Sequence, residues 1–348
     1  MKNHIIHSSA TLLQALEAIN RLSGSEMTLL VTSPDGVMTG TLTDGDIRRA
    51  LLRGIPLTAS VTEAMHRGFS FLRDGAIDVR ALKEMRRSGK HLIPVLDADC
   101  RVTSILDTTQ TRTILPMRAI IMAGGKGERL RPLTLTTPKP LVKVAGKAII
   151  DYNVEALASV GVKDITVTVN YLAEQLEEHF ATPVGGVDVK CVRETFPMGT
   201  LGSASLVEPG TLGTTLVMNS DLLTTISYED LYLHHTASGA DITIAAIPYN
   251  VSVPYAILAT DRGRVTALEE KPAYAYYANA GIYLISDSLL ATLSRDSRSD
   301  ATDFITDAIA AGRKVSYFPI SGTWIDIGSH TDYAHACELM DHHRDLSE

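Results

Sequence analysis

The chain has 348 residues, a formal net charge of −8, 45% hydrophobic residues and 21% charged ones. That length suggests two domains, or one large and one small, of ordinary globular composition, and the acidic balance argues against a nucleic-acid or anionic-membrane partner. No run reaches the roughly 18 continuous apolar residues of a membrane helix, residues 1–7 lack the apolar stretch of a secretory signal, and Cys100, Cys191 and Cys337 have no metal or redox spacing, so a cytoplasmic protein with reduced thiols is expected.

Residues 1–116 read as two copies of one unit. The first has a helical stretch over 11–22 ending at Gly24, an apolar run over 27–31, a turn at 33–36 and then GTLTDGDIRRAL. The second has a helical stretch over 77–87 ending at Gly89, the apolar run 91–96, a turn at 97–99 and then VTSILD. Both carry [ST]-x-x-D: Thr43 and Asp46 match Ser104 and Asp107 at a common offset of 61. Such repeats bury their faces against each other. A Thr or Asp at a strand-to-helix turn is also a good helix cap, and the Arg48-Arg49 pair suits a solvated helix face.

From residue 117 the pattern becomes alternating strands and helices. Strands are predicted over 118–122, 164–169, 215–218, 241–247 and 280–285, with helices over 148–160 and 172–180. This alternation means a mostly parallel sheet covered on both faces, with ligands outside the carboxyl ends of its strands. Pro116 is a plausible hinge.

The first of these strands runs into MAGGKGERLRPLTLTTPKP, residues 122–140. Glycines let a backbone approach a ligand, and Arg and Lys neutralise phosphate. The stretch is no Walker A loop. It also lacks the third glycine of G-x-G-x-x-G, because Leu130 follows Arg129, which disfavours a nicotinamide dehydrogenase.

Two resemblances cover the chain. Residues 1–116 resemble a tandem pair of CBS domains, α+β units with a βαββα core. In that family the [ST]-x-x-D segment contacts an adenine nucleotide, which would make Thr43, Asp46, Ser104 and Asp107 the candidate ligand residues and this half regulatory or oligomerising. Residues 117–348 resemble the sugar nucleotidyltransferases. They match that signature at Ala123, Gly124, Gly125, Gly127, Arg129, Leu130, Pro132, Leu133, Thr134, Pro138, Lys139 and Pro140, and depart from it at Glu128. The family's later segments follow in order: ETFPMGTLGSA, VMNSDLL, VPYAIL (Ala256 replacing the usual glycine), VTALEEKP, NAGIYLI and GTWIDIGSH. The fold so implied is α/β, a Rossmann-like (GT-A-like), mostly parallel nucleotidyltransferase domain after an α+β CBS pair.

The resemblance also implies roles. Met122, Ala123, Gly124, Gly125, Gly127, Glu194, Gly199, Thr200 and Gly202 would bind nucleotide. Tyr255, Glu270, Lys271, Asn279 and Gly281 would bind the sugar phosphate. Arg129 would neutralise the leaving pyrophosphate and Lys139 the α-phosphate, with Asp221 and Asp326 as Mg²⁺ ligands. The chemistry agrees: in-line attack by an already anionic sugar phosphate needs positioning and charge neutralisation rather than a side-chain nucleophile. Mg²⁺ needs only one or two carboxylates beside substrate phosphates. A carboxylate in an apolar strand such as Ile325-Asp326-Ile327 needs a partner, whereas Asp221 after Asn219-Ser220 also suits a turn. Glu194 offers only acceptors, which suits guanine's two adjacent donors. The expectation is a homo-oligomeric enzyme making a GDP-hexose or GDP-hexosamine from GTP and a sugar 1-phosphate. The combination of the two halves resembles bacterial amino-sugar guanylyltransferases, and the catalytic half is also similar to mannose 1-phosphate guanylyltransferases. The alternative is a CBS regulatory protein with a non-catalytic scaffold, disfavoured because Arg129, Lys139, Asp221, Lys271 and Asp326 are all present.

Overall fold

The computed structural model describes residues 2–22, 26–109, 111–208, 210–295 and 297–345. The chain forms two compact units, Met1–Leu115 and Pro116–Glu348.

The first unit is a repeat. Its first copy runs β1 (Ile5–His7), α1 (Leu12–Arg21), β2 (Thr28–Thr32), β3 (Met38–Thr43) and α2 (Asp44–Leu52). Its second runs β4 (Leu72–Arg73), α3 (Val79–Arg87), β5 (Leu92–Leu96) and β6 (Val102–Asp107). Each copy has a three-stranded sheet. Helix α1 starts from a capping box of Thr11 with Gln14 and buries Leu12, Ala15 and Ile19, the spacing of one helical face. The predicted stop at Gly24 lies outside the described residues.

The ladders correct the offset between the copies. Thr28 pairs with Thr43 in the first hairpin and Leu92 with Asp107 in the second, and each hairpin has its bulge at the same place. The copies therefore match at an offset of 64. Val37 N–H donates to Ser33 Oγ as Arg101 N–H donates to Asp97 Oδ1. Gly36 at φ +82° has as its counterpart Cys100 at φ +61°. Structurally, Asp107 answers to Thr43 and Ser104 to Gly40, so the second [ST]-x-x-D is not the equivalent of the first. The counterpart of Asp46, residue 110, lies outside the described residues. The expected second βαββα core is also shortened: among the described residues no helix follows β6 before the next unit's first strand.

The second unit is built on a seven-stranded sheet of order β11-β10-β7-β12-β17-β14-β18. These strands are β7 (Arg118–Ala123), β10 (Ile165–Val169), β11 (Val189–Arg193), β12 (Thr214–Asn219), β14 (Ile242–Ser252), β17 (Ala273–Ser286) and β18 (Val315–Pro319). Only β17 opposes the others. Strand β10, buried at every residue, carries the apolar and β-branched run of a covered central strand. Around the sheet lie the short strands β8 (Lys143–Val144), β9 (Lys147–Ala148), β13 (Leu222–Thr224) and β19 (Trp324–Asp326), the hairpin β15 (Ile257–Asp261) and β16 (Arg264–Glu269), and helices α4 (Ile149–Ser159), α5 (Ala173–His179), α6 (Tyr228–Ser238), α7 (Asp287–Leu290), α8 (Ala301–Ala310) and α9 (His330–Asp345).

The predicted strands over 241–247 and 280–285 are the roots of longer ones. Beyond Ala246 and Ile282 they leave the sheet and pair only with each other, out to Ser252 opposite Ala273. Among the described residues no helix is long and apolar enough to cross a membrane.

Candidate functional site

Register gathers the site. Val169 pairs with both Ala123 and Arg193, and Asn219 with Met122. Strands β7, β10, β11 and β12 therefore end together, and Gly124, Asn170, Glu194 and the Ser220-Asp221 turn emerge along one edge. Strand β17 enters at that edge. Gly281, at φ +70°, stands so close to Asn219 that a Cβ would lie 2.5 Å from its Nδ2.

The glycine loop leads from β7 into a 3-10 turn, Glu128–Leu130, and not into an α-helix, which sets it apart from a dinucleotide loop. Leu130, fully buried, anchors that turn in an apolar cluster with Val142, Val144, Ile149, Leu223, Ile325 and Ile327. Gly127 takes φ +61°, and a Cβ there would stand 3.0 Å from Lys139 Cβ and from Thr134 Cγ2. The Thr134 hydroxyl donates to Gly127 O at 2.7 Å. Tyr171 donates to the carbonyls of Thr134 and Leu135, and Gln175 to that of Thr136, which fixes the segment delivering Lys139. Gly125 has open space where a side chain would be. Met122 and Ala123 are strand residues below the loop; the Met122 carbonyl accepts from Ser220 N–H and braces the next turn.

Lys139 and the two aspartates converge. The Lys139 ammonium pairs with Asp221 Oδ2 and lies 3.9 Å from Asp326 Oδ1. The aspartates meet because β13 and β19 are antiparallel neighbours, Leu222 opposite Asp326, and Ile327 N–H donates to Asp221 O at 3.1 Å. Asn153, a buried residue of α4, donates to the Ser220 and Leu222 carbonyls and brackets Asp221. Asp221 Oδ1 and Asp326 Oδ1 are buried without a hydrogen-bond partner, which buried carboxylate oxygens do not tolerate unless a cation or donor satisfies them. Burial, and then the neighbouring Asp221 charge, raise the Asp326 pKa against the opposing pull of Lys139 and Arg129. The pair fits a hard divalent ion with few protein ligands. Among the described residues no set of three acidic, His or Cys side chains is placed to hold a metal, so phosphate and water oxygens would complete the shell. Arg129 lies over Gly328, where a Cβ would stand 2.9 Å from its Nη2.

Glu194 turns its carboxylate to the loop: a Cβ on Gly124 would stand 2.5 Å from its Oε1. Asn170 donates to Glu194 Oε2 at 3.1 Å, and Met198 N–H at 3.4 Å.

Gly199, Thr200 and Gly202 keep other company. Thr200 N–H donates to Asp300 Oδ1, its hydroxyl accepts from Ala301 N–H, and Gly202 N–H donates to Ser299 O. A Cβ on Gly199 would stand 2.7 Å from Ser299 O. Thr200 and Gly202 thus bring shape rather than free backbone donors to the nucleotide role expected of them.

The sugar-phosphate candidates divide. Asn279 accepts from Gly281 N–H and donates to the Tyr283 hydroxyl, both at the site edge. Tyr255, Glu270 and Lys271 are exposed near the far end of the β14–β17 ribbon, whose last pair is six residues, about 20 Å of strand, beyond Asn279. The structure does not join them to the aspartates by any hydrogen bond or ion pair among the described residues. Lys271 holds φ +44°, a backbone strain of the kind found at functional turns. In the first unit, Asp46 accepts from both the N–H and hydroxyl of Thr43 and pairs with Arg49, a complete capping box. Asp107 accepts from Thr109, and Ser104 is exposed.

Sequence reasoning missed Asn153, Asn170, Tyr171, Gln175 and Gly328. Only Asn153 carried a signal, an amide on an otherwise apolar helix face.

The comparisons place the second unit in a known family. A family model for nucleotidyl transferases matches residues 118–342. Mannose-1-phosphate guanyltransferase of Yarrowia lipolytica is 34% identical over 227 residues, covering 62% of each chain. Mannose-1-phosphate guanylyltransferase 1 of Arabidopsis thaliana is 33% identical over 229 residues, 62% of this chain and 63% of the relative. This chain thus spans less than two thirds of those relatives. A Bacillus anthracis crystal structure assigned to the glucose-1-phosphate thymidylyltransferases, 24% identical with a TM-score of 0.52, shares the fold over 64% of this chain and 94% of its own. The chain belongs to the nucleotidyl transferase family.

Proposed function

We propose that the second unit transfers a guanylyl group from GTP to a hexose or hexosamine 1-phosphate, releasing pyrophosphate. The observation carrying this reading is the meeting of Lys139 with Asp221 and Asp326, whose inner oxygens lack partners, at the strand edge where the glycine loop emerges. Backbone N–H groups of the Gly124–Gly127 segment face the triphosphate. Arg129 meets the departing pyrophosphate and Lys139 the α-phosphate, where charge develops. Asp221 and Asp326 hold Mg²⁺, which supplies charge neutralisation and template geometry to the phosphates. The sugar phosphate is its own nucleophile, so these residues bind and orient rather than transfer protons. Asn279 and Gly281 flank the sugar; for Tyr255, Glu270 and Lys271 to reach its phosphate, the β14–β17 ribbon must fold back over the site.

Glu194, aimed at the loop and held by Asn170, supports guanine, because a carboxylate accepts from N1–H and N2–H₂ together. The names of the similar proteins support the same base and put mannose 1-phosphate first among the sugars to assay. The test is pyrophosphate release with Mg²⁺ over a grid of nucleoside triphosphates against mannose-, glucose-, glucosamine- and N-acetylglucosamine 1-phosphate. Turnover confined to the GTP row is expected. Turnover in another row overturns the base assignment, and none in any row overturns the transferase.

We further propose that residues 1–116 are a CBS-type regulatory and oligomerising pair with an adenine-nucleotide site. What favours a ligand is a cavity of about 200 Å³ lined from both copies, with Glu26, His66, Lys90 and His91 as its charged and titratable walls. The four [ST]-x-x-D residues do not line it. Titrating the full chain with ATP, ADP and AMP while following its melting temperature and sedimentation tests this; no response to any of them overturns it.

A further inference from the structure

Lys139 is placed to do more than meet an α-phosphate. Its ammonium is paired with Asp221 Oδ2, stands 3.9 Å from Asp326 Oδ1, and belongs to a side chain only 12% exposed. The backbone holds it there. Lys139 opens a 3-10 turn between Pro138 and Pro140, its Cβ packs against Gly127, and Tyr171 and Gln175 clamp the segment before it. The same two carboxylates keep Asp221 Oδ1 and Asp326 Oδ1 without hydrogen-bond partners. One carboxylate pair therefore faces two claimants, the ammonium it touches and the divalent cation its inner oxygens fit. Two cations a few ångströms apart in a half-buried site repel strongly.

We propose that Lys139 competes with the divalent cation for Asp221, so that the protein alone holds the cation weakly and takes it up together with the nucleoside triphosphate. The triphosphate resolves the conflict. Its oxygens give the ammonium a second anion to pair with and give the cation the ligands that two carboxylates do not provide. Cation and nucleotide are then positively coupled, and the coupling is reciprocal. This inference rests on reading Asp221 and Asp326 as the cation site.

The test is Mn²⁺ binding to the full chain without nucleotide, read as free Mn²⁺ by electron paramagnetic resonance. Lys139→Met is expected to bind Mn²⁺ at least about ten-fold more tightly than wild type, because one positive charge is gone. Lys139→Arg keeps the charge and is expected to stay as weak as wild type. Adding Asp221→Asn to Lys139→Met is expected to erase the gain, and GTP should tighten Mn²⁺ more in wild type than in Lys139→Met. Should Lys139→Met not fold, Lys139→Gln makes the same comparison. Equal affinity in wild type and Lys139→Met, lost in both on Asp221→Asn, overturns the competition while leaving the cation site. Mn²⁺ binding indifferent to Asp221 in every variant, with or without GTP, overturns the cation site and the competition together.

Discussion

At the residue scale, some glycines around the site are there because other side chains occupy the space a Cβ would take, although Gly125 has open space. Gly328 gives its space to Arg129 and Gly124 to Glu194. Gly328→Ala should push Arg129 away from the phosphate path and lower kcat about ten-fold or more while leaving the melting temperature unchanged, since a misplacement of about 1 Å is that costly to catalysis. Steady-state kinetics beside a thermal melt checks both halves. Glu194 decides the base if it faces one. Glu194→Gln exchanges an acceptor for a donor, so the ratio of kcat/KM for GTP to that for UTP should fall about ten-fold or more. An unchanged ratio would remove Glu194 from base selection. The motif residues themselves were legible, because Gly, Arg, Lys and Pro in that order serve no apolar core. Their supporters Asn170, Tyr171 and Gln175 were not, because a donor to a loop carbonyl looks like any surface polar residue.

At the element scale, the aspartates meet through a two-stranded ladder of three residues a side, β13 against β19, standing apart from the main sheet. That ladder rests on the apolar cluster beneath the glycine loop, and Asn153 of α4 ties its first turn down. Asn153→Ala leaves two carbonyls short of a buried donor and should cost about 1–3 kcal/mol of stability. It should also lower turnover beyond what the lost stability explains, because the Asp221 turn loses its bracket. Denaturant unfolding paired with kcat measures the two separately, and a stability loss with full activity would make Asn153 structural only. Helix α4 and strands β7, β10 and β12 were readable from period and length. Strands β13 and β19 were not, being too short to show a period.

At the scale of the whole molecule, each unit carries its own apolar clusters: those around Leu12, Leu82 and Leu30 in the first, and those around Ile120 and Leu130 in the second. Every residue assigned to the transfer lies in the second unit. Residues 116–348 produced alone should therefore fold and release pyrophosphate within about three-fold of the full chain's rate, as a unit with its own core does. A soluble but inactive fragment would make the first unit a working part of the site.

The amino-acid sequence by itself determined the alternation of strand and helix in the second unit, the glycine-rich basic loop after its first strand, and the existence of a repeat in the first. These are local, written in period, glycine placement and charge within a few residues of one another. Only the tertiary structure decided that Asp326 lies beside Asp221, that Thr200 and Gly202 engage the 299–301 segment, and that the repeat runs at 64 rather than 61. It also showed that β14 and β17 run on into an exposed ribbon. Each of these is a matter of register and close approach between distant segments. A ladder shifted by one residue turns every side chain to the other face, and nothing local announces the shift.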